Sequence, residues 1–575
     1  MNLTIHRRTR LRLLGAVAII GLAGALLLPM SARAAGLKFA SPIWVDKTLG
    51  GGEPSVAYAV KSGLIVYTSH EGTTHLFTSA IPGAPAESGG FLGNYHNQVN
   101  IWTSSDNGKK WKLVPFGKST NPFATGFSDP DLTQDANGNI YNTGIDLAND
   151  ALFSSQNGGR TWPTGTTQCH EGDRPWLAGG GKDEVFLNTD ADPDGHEVFH
   201  STDAGASCSS NGITDNGTVA SHKTFAGDSY AGDGKIYYDR IRGTVVEPVV
   251  YSKSGKVEGV GVGILPDASK AFSNSKASFV DVPTAKTTMF SHWPALAIDS
   301  KGNYYMVWDT DDRSSKTLNG CPPTFSGSES FGSIPPVNAK TPLANRVLMA
   351  VSHDGGFHWS RPQTVGYAPG HRLLWPWITA GSVGRVGVVW YQYNHVVDPD
   401  CAPASSKVVV MAAVLSGANG AHRQKAVANA SGRSIHSGSI CAGGTACAAE
   451  NVITSEDRRL GDYFTDNPDH RGCLMIATGD TTLLDPITGR PAPISHALFL
   501  HQNSGTSLTG RPCGSAAGGH HSHHSHHSHH SHHTHHAHHA HHSHQGSRSH
   551  QGSRSHHHRH SRRPRHKRRH RGFTG

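Results

Sequence analysis

Several features are scarce or missing in this chain, and each absence excludes a class of protein. Beyond the first thirty-odd residues, no segment shows a sustained helical repeat of apolar residues, which argues against a helical fold. No second run is apolar enough to cross a membrane, so we expect no membrane span once the leader is removed. No pair of Cys-x-x-Cys motifs is present, which argues against a zinc-binding module.

The amino-terminal segment is typical of an export signal. Four arginines between Arg7 and Arg12 precede an apolar run, Leu13 to Leu28, and Ala32-Arg33-Ala34 then supplies the small residues of a cleavage site. The run is about 16 residues long, shorter than the roughly 20 that a bilayer span needs. We therefore predict a signal peptide over residues 1–34 and a secreted, extracellular protein, with a retained membrane anchor as the alternative.

Acidic residues are missing from both ends of the chain, so the net charge of the whole chain does not represent the charge of the body between them. The leader carries five Arg, and the segment after Cys513 carries nine Arg and one Lys. Removing these fifteen charges from the formal +8 leaves about −7 for residues 35–513. A mildly acidic body does not favour a nucleic-acid partner.

The last segment, residues 514–575, is a low-complexity tail rich in His and Arg. It holds more than half of the 42 histidines and almost nothing apolar, so we expect it to be disordered. Clustered imidazoles can bind zinc, nickel or copper, and protonated imidazoles attract anionic cell-surface polymers. We predict metal or surface binding by the tail, with a sequence expansion without a role as the alternative.

All eight cysteines follow the leader. An even count in an oxidising compartment predicts disulfides, and eight cysteines allow 105 pairings. Cys441 with Cys447 is the simplest local closure. Connectivity beyond that is open at this point.

A recurring unit predicts the fold of residues 35–513. Each unit has a short opening strand, a turn with Gly leading into a second strand, and a third strand. Openings occur at Glu53-Pro54-Ser55-Val56, Asp129-Pro130-Asp131-Leu132, Arg174-Pro175-Trp176-Leu177, Trp293-Pro294-Ala295-Leu296, Trp375-Pro376-Trp377-Ile378 and Gly461-Asp462-Tyr463-Phe464. Second strands are predicted at residues 63–67, 138–141, 185–188, 302–308, 384–390 and 473–477.

A further unit has a second strand, Gly234 to Tyr238, but no clear opening. We predict an all-β protein, a single β-propeller of about seven four-stranded blades, because one such sheet cannot bury both faces and a closed ring of them can. Six blades, or a series of β-sandwiches, are the alternatives. Residues 38–45 are expected to add a strand to the last blade and close the ring.

Four predicted third strands end in a similar eight-residue turn. The second turn has Asn157 in place of Asp, and the third has Cys208 in place of Trp. The turns comprise Ser104, Asp106, Gly108 and Trp111; Ser155, Asn157, Gly159 and Trp162; Ser201, Asp203, Gly205 and Cys208; and Ser352, Asp354, Gly356 and Trp359. They resemble the Asp-box, or bacterial neuraminidase repeat, Ser-x-Asp-x-Gly-x-x-Trp.

The chemistry of the box indicates structure and not catalysis. Ser and Asp side chains accept backbone hydrogen bonds, Gly tolerates positive φ, and Trp is an apolar anchor. In the family these turns lie at the blade periphery, away from the active site. A disulfide from Cys208, with Cys169 as the candidate partner, could replace the missing Trp anchor.

The resemblance to the sialidase-like superfamily implies a set of site residues. A sialidase binds its substrate carboxylate with three arginines, one in an Arg-Ile-Pro motif, and uses a Tyr nucleophile and an Asp acid/base. Here Gly52-Glu53-Pro54-Ser55 occupies the place of the motif, and its carboxylate would repel sialic acid. The remaining candidates at the blade openings are Arg174, Arg372, Arg458, Asp462, Tyr463 and Asp129, with Arg459, Asp131 and Asp173 nearby.

Two further groups have a functional and a structural interpretation. Trp176, Trp293, Trp375 and Trp377 could stack on sugar rings or fill gaps between blades. Asp190, Asp192 and Asp194, followed by Gly195, could bind calcium or form a polar hairpin tip, since no Glu stands at the twelfth position.

Taken together, these features predict a secreted propeller that binds, and as an enzyme would hydrolyse, extracellular carbohydrate at its central funnel. The alternative is a non-catalytic scaffold for protein partners or surface attachment. We expect a monomer that requires no cofactor, whose partner is an extracellular glycan or cell-surface polymer.

Overall fold

The computed structural model describes most of the chain between residues 36 and 514. The described residues are 36–70, 99–114, 128–146, 149–169, 172–190, 196–215, 228–253, 256–265, 267–268, 278–282, 294–310, 346–397, 399, 402–420, 422–440, 457–484, 489, 491–492 and 494–514. The predicted signal peptide, almost all of the tail, Trp293, Asp192, Asp194 and four of the cysteines lie outside them. None of the described residues forms a helix long and apolar enough to span a membrane.

The described residues form 31 strands. In chain order they are β1 (Lys38–Phe39), β2 (Ile43–Trp44), β3 (Ser55–Ala59), β4 (Leu64–Ser69), β5 (Asn100–Ser104), β6 (Lys112–Leu113), β7 (Leu132–Gln134), β8 (Ile140–Asp146), β9 (Asn149–Ser155), β10 (Thr164–Thr166), β11 (Asp173–Gly179), β12 (Val185–Asp190), β13 (His196–Ser201), β14 (Ser209–Asp215), β15 (Asp228–Asp233), β16 (Tyr237–Asp239), β17 (Thr244–Lys253), β18 (Lys256–Leu265), β19 (Ser278–Val282), β20 (Ala295–Ile298), β21 (Tyr304–Asp309), β22 (Arg346–Ser352), β23 (Gln363–Tyr367), β24 (Leu373–Ala380), β25 (Val386–Tyr393), β26 (Lys407–Ser416), β27 (Gln424–Asn429), β28 (His436–Ser437), β29 (Thr465–Pro468), β30 (Leu474–Asp480) and β31 (His496–Ser504).

These strands make seven antiparallel sheets, which are the blades of a β-propeller. Blades 1 to 6 begin at β3, β7, β11, β15, β20 and β24, and blade 7 begins at β29. The first strands contact one another in sequence around a ring, and β29 contacts β3. The all-β, seven-bladed prediction is therefore confirmed.

The amino-terminal strands close the ring, as the sequence predicts. Lys38 and Phe39 pair with the end of β31, and Ile43 and Trp44 pair with Phe499 and Leu498 in its middle. Blade 7 thus combines three strands from the end of the described chain with a fourth from its beginning. Closure of this kind removes a sheet edge that would otherwise remain unpaired.

The strand predicted for the fourth unit is assigned to the wrong position in its blade. The segment from Gly234 to Tyr238 was predicted as a second strand, but Tyr237–Asp239 is part of the first strand of blade 4. Both β15 and β16 pair with β17, and Gly234 interrupts them with a backbone bond to Pro248. The Gly-x-Ile-Tyr-Tyr pattern resembles the second strands of the other blades. In this blade, however, the turn that leads into the second strand comes after the pattern and not before it.

The four Asp-box-like sequences form the same turn between the third and fourth strands of blades 1, 2, 3 and 5. In blade 1, the amide of Gly108 donates to Ser104 Oγ at 2.9 Å, and the amide of Lys110 donates to Asp106 Oδ1 at 2.9 Å. In blade 2, the amide of Thr161 donates to Asn157 Oδ1 at 3.0 Å, so an amide oxygen serves as well as a carboxylate. The glycine of each turn has a positive φ, which glycine adopts at little cost.

Two disulfides lie within the described residues. Cys169 is bonded to Cys208, as predicted, and this bond holds the turn that lacks its Trp. Cys473 is bonded to Cys513 and fastens the segment after β31 to the start of β30. The predicted pair Cys441–Cys447 lies outside the described residues.

Candidate functional site

In four blades, a residue near the start of the first strand has a strained backbone conformation and is followed by proline. Glu53, Asp129, Arg174 and Trp375 have φ values of 45°, 52°, 54° and 51°, and each precedes a Pro. Residues before proline normally adopt extended conformations, and a left-handed non-glycine residue costs about 1–3 kcal/mol. Such strain concentrates at functional sites. The first strands form the inner ring around the central channel of the propeller, and we call the end of the channel at which these strands start its mouth.

A buried cluster of Glu53, His70 and Asp129 lies at this mouth. Glu53 precedes the first strand of blade 1, His70 follows its second strand, and Asp129 precedes the first strand of blade 2. His70 Nε2 contacts Glu53 Oε2 and lies 3.8 Å from Asp129 Oδ1. All three residues are buried, Asp129 least completely. Ser128 Oγ also faces His70 Nε2, at 3.5 Å, so serine and acid share one ring nitrogen and do not form a nucleophilic triad.

Burial shifts the pKa of each group in this cluster toward its neutral form. It raises the pKa of Glu53 to about 8, and the charge of Asp462 adds to the shift. It raises the pKa of Asp129 well above its usual range, with Glu53 as the next cause. It lowers the pKa of His70 to about 4. Burial and the mutual repulsion of the acids thus favour the uncharged forms of these side chains.

Arg458 and Asp462 complete the cluster from blade 7. Arg458 donates to both oxygens of Asp462, to Oδ2 at 2.5 Å, and its guanidinium lies 3.9 Å from Glu53 Oε1. The amide of Asp462 donates to Glu53 Oε1 at 2.8 Å. Burial opposes the charge on Arg458, but Asp462 more than compensates and raises the Arg458 pKa above its ordinary value. Carboxylates from blades 1, 2 and 7 therefore meet around one histidine and one arginine.

Glu53, His70 and Asp129 form the one potential metal-binding group of three or more such side chains among the described residues. One ligand atom from each lies within 4.8 Å of the others. An imidazole nitrogen with two carboxylate oxygens is a donor set typical of zinc and other divalent transition metals. His70 is the residue that sequence reasoning missed, and its signal is a polar side chain directly after the second strand of blade 1.

Three aromatic rings from distant blades close the channel beneath the mouth. The ring centroids of Trp176 and Trp377 are 5.7 Å apart, although they come from blades 3 and 6. Tyr463 of blade 7 lies 4.7 Å from Trp176 and 5.9 Å from Trp377. All three are buried, so here these two tryptophans pack against each other and against Tyr463 across the channel. We call Trp176, Trp377 and Tyr463 the aromatic plug.

The hydroxyl of Tyr463 is engaged in structure. It donates to the carbonyl oxygen of Pro130 at 2.8 Å. Burial raises its pKa well above the ordinary value, and the surrounding carboxylates, Glu53 first, add to this. Because a phenolate is the nucleophilic form, this environment works against the nucleophile role that the family resemblance implies.

Three of the arginines that the sequence predicts for the site contact acidic residues of the chain. Arg458 donates to Asp462, and Arg459 donates to Asp457 through Nε at 2.9 Å. Arg174 lies 3.7 Å from its neighbour Asp173, and Arg372 is buried at the start of blade 6. Trp375 is buried as well, with its amide donating to Asp309 at 3.1 Å. The calcium prediction stays untested, because Asp192 and Asp194 lie outside the described residues.

A second ion pair links residues of different blades, and no pattern in the sequence predicts it. Lys235 of blade 4 forms an ion pair with Asp131 of blade 2, and Asp131 also accepts the amide of Leu177 from blade 3 at 2.9 Å. Burial lowers the pKa of Lys235, while Asp131 opposes that shift. The pair ties three first strands together beside the plug.

Comparison with solved structures finds several proteins that are similar to this chain at low identity. A protein of unknown function from Dyadobacter fermentans is 14% identical, with 81% of this chain and 99% of that chain covered and a TM-score of 0.39. The GH93 α-L-arabinofuranosidase of Fusarium graminearum is 13% identical, with 80% and 97% covered and a TM-score of 0.35. The intramolecular trans-sialidase of Ruminococcus gnavus is 11% identical, with 80% and 96% covered and a TM-score of 0.34.

No protein-family model matches the chain. No curated protein matches it by sequence. At such identities and scores the likeness carries no argument about function, so a function for this chain must rest on its own residues.

Proposed function

We propose that this protein is a secreted glycan-processing propeller whose sugar site is the mouth of the central channel. The observation that carries the proposal is the convergence of Glu53, Asp129 and Asp462, from three blades, around His70 and Arg458. Paired carboxyl groups are the usual machinery of glycosidic bond cleavage, and carboxylates also accept hydrogen bonds from sugar hydroxyls. Propellers in general bind ligands at this end of the channel.

Asp129 and Asp462 are the carboxylates that we assign to sugar contact. Their side chains retain 9% and 10% exposure, whereas Glu53 and His70 are shielded behind them at 1% each. Asp173, with a side chain 46% exposed, acts electrostatically on Asp129 and raises its pKa further. Side-chain exposure therefore decreases from Asp173 through Asp129 to Glu53, which suits a ligand that enters from the mouth.

Neutral sugars fit this site better than sialic acid. Recognition of a carboxylate needs a guanidinium free to face it. Arg458 and Arg459 are each bound to a carboxylate of the chain, and Arg174 stands beside one. We expect neutral glycosides, and not sialosides, to be turned over.

The test is a panel of chromogenic glycosides and plant and microbial polysaccharides, with release of chromophore or reducing ends as the readout. We expect turnover by the wild type and a loss of at least about 100-fold in Asp129→Asn, in line with the removal of a positioned acid or base. Asp203→Asn is the matched control, since Asp203 lies in a peripheral turn and bonds to Ser207. Its activity should remain at the wild-type level.

The outcomes separate the enzyme from its alternatives. Glycan-array binding without turnover would overturn the catalytic part of the proposal and leave a binding module. Equal activity in Asp129→Asn and Asp203→Asn would show that the chemistry lies elsewhere. A protein that neither binds nor cleaves glycans, but is retained by a protein partner, would be the scaffold of the alternative prediction.

A further inference from the structure

The buried cluster at the channel mouth has more acidic than basic side chains. Glu53, Asp129 and Asp462 contribute three carboxyl groups, and Arg458 contributes the one cation within contact distance of them in the described part of the chain. Arg458 binds Asp462 through both oxygens and lies farther from Glu53, 3.9 Å from Oε1. Glu53 and Asp129 both face His70 Nε2. A buried pair of carboxylates needs a proton or a cation between them.

The arrangement of atoms also offers a set of ligands to a cation. Three ligand atoms, one from each of Glu53, His70 and Asp129, lie within 4.8 Å of one another. Ligands around a zinc ion stand at about 2.0–2.2 Å from the metal, so two of them lie roughly 3.4 Å apart. His70 Nε2 and Asp129 Oδ1, 3.8 Å apart, already stand near that separation, whereas Glu53 Oε2 contacts His70 Nε2 directly and must move away from the ring to admit an ion. Three protein ligands are the pattern of catalytic zinc sites, in which a fourth position takes water or substrate.

The other ring nitrogen of His70 supports the same interpretation. Nδ1 is buried and has no hydrogen-bond partner among the described residues, and the same is true of Ser495 Oγ. Both atoms lie 3.6 Å from the position that a Cβ on Gly52 would occupy. The carbonyl oxygen of Arg459 is closer still to that position, at 3.0 Å, so three polar atoms face the glycine. A metal-binding histidine characteristically has its second nitrogen hydrogen-bonded, which presents Nε2 to the metal.

We propose that Glu53, His70 and Asp129 bind a divalent transition-metal cation, with Zn²⁺ as the probe. The ion would supply the positive charge that two buried carboxylates need. Asp129, the ligand with the largest exposed fraction at 9%, lies on the side where the ion would contact a sugar hydroxyl or a water molecule. Only that last role depends on the proposed function, and metal binding itself does not.

The decisive test locates the ion directly, because the many histidines of the tail make a count of bound zinc uninformative. Crystals of the full chain grown with Zn²⁺ are measured on both sides of the zinc absorption edge. We expect an anomalous peak about 2.0–2.2 Å from His70 Nε2 and from one oxygen of each acid. Absence of a peak at this position, at saturating zinc, would overturn the proposal.

A solution test uses the change in Tm on adding zinc. The full chain and its variants all carry the same tail, so a difference between them reports on the body. We expect a rise of several degrees in the wild type and in His358→Ala, whose side chain is 90% exposed on a peripheral turn. His70→Ala and Asp129→Asn should show no more than half that rise.

These measurements keep the two proposals distinct. Gly52→Ala places a methyl group 3.0 Å from the carbonyl oxygen of Arg459 and beside His70 Nδ1, so it should displace the histidine and weaken zinc binding while every ligand remains. An equal zinc response in His70→Ala and the wild type would contradict the metal site even if glycosides are cleaved. A zinc peak in a protein that cleaves no glycan would sustain the metal site and remove the proposed function.

Discussion

The hydroxyl of Tyr463, next to the first strand of blade 7, donates a hydrogen bond of 2.8 Å to the carbonyl oxygen of Pro130 at the start of blade 2. The bond spans 333 residues of sequence and crosses blade 1. It fixes the tyrosine ring over Trp176 and Trp377. A residue that the family resemblance implies as a nucleophile is therefore part of the structure that closes the channel.

Replacement of Tyr463 by Phe distinguishes these two roles. The ring and its packing stay, while the bond to Pro130 is lost, so we expect the free energy of unfolding to fall by about 1 kcal/mol. Chemical denaturation measures this loss, and the glycoside panel measures turnover. Turnover should persist in Tyr463→Phe. A fall of several orders of magnitude with normal stability would restore Tyr463 as the nucleophile.

The aromatic plug should matter more for stability than any other single feature at the mouth. Trp377 is 5% exposed and contacts rings from blades 3 and 7, so Trp377→Ala removes a large buried surface that bridges the ring. We expect a loss of about 3–5 kcal/mol, the usual cost of truncating a buried Trp. Trp377→Phe serves as the control and should recover much of it. A loss below about 1 kcal/mol would mean that the blades hold together without the plug.

The peripheral turns allow a test of which atom holds them. Asn157 accepts the Thr161 amide at 3.0 Å, much as Asp106 accepts the Lys110 amide at 2.9 Å. The amide oxygen of Asn can therefore replace the carboxylate, and Asp106→Asn should be nearly neutral. Asp106→Ala removes the acceptor and should cost about 1 kcal/mol. Thermal unfolding of the two variants beside the wild type decides the matter, and equal Tm values for Asn and Ala would contradict this account.

Local sequence predicts much of this molecule because its building blocks are local. Strands alternate over a few residues, and each peripheral turn closes with bonds between residues two to four apart, as in Ser104, Asp106 and Gly108. The disulfide Cys169–Cys208 joins blade 2 to blade 3, which follow each other in the sequence. The prediction for the fourth unit is wrong because Gly234 and Tyr238 carry the pattern of a second strand. Only the pairing with β17 shows that this segment comes before the second strand of the blade.

The sequence by itself determined the repeated blades, the turns between their outer strands and the expectation that their openings share one axis. Only the tertiary structure decided which openings meet. Glu53 binds the amide of Asp462 across 409 residues, and Lys235 reaches Asp131 across 104. The physical reason is that ring closure brings together residues whose separation in sequence carries no period, so no local pattern marks His70 as the partner of Glu53 and Asp129.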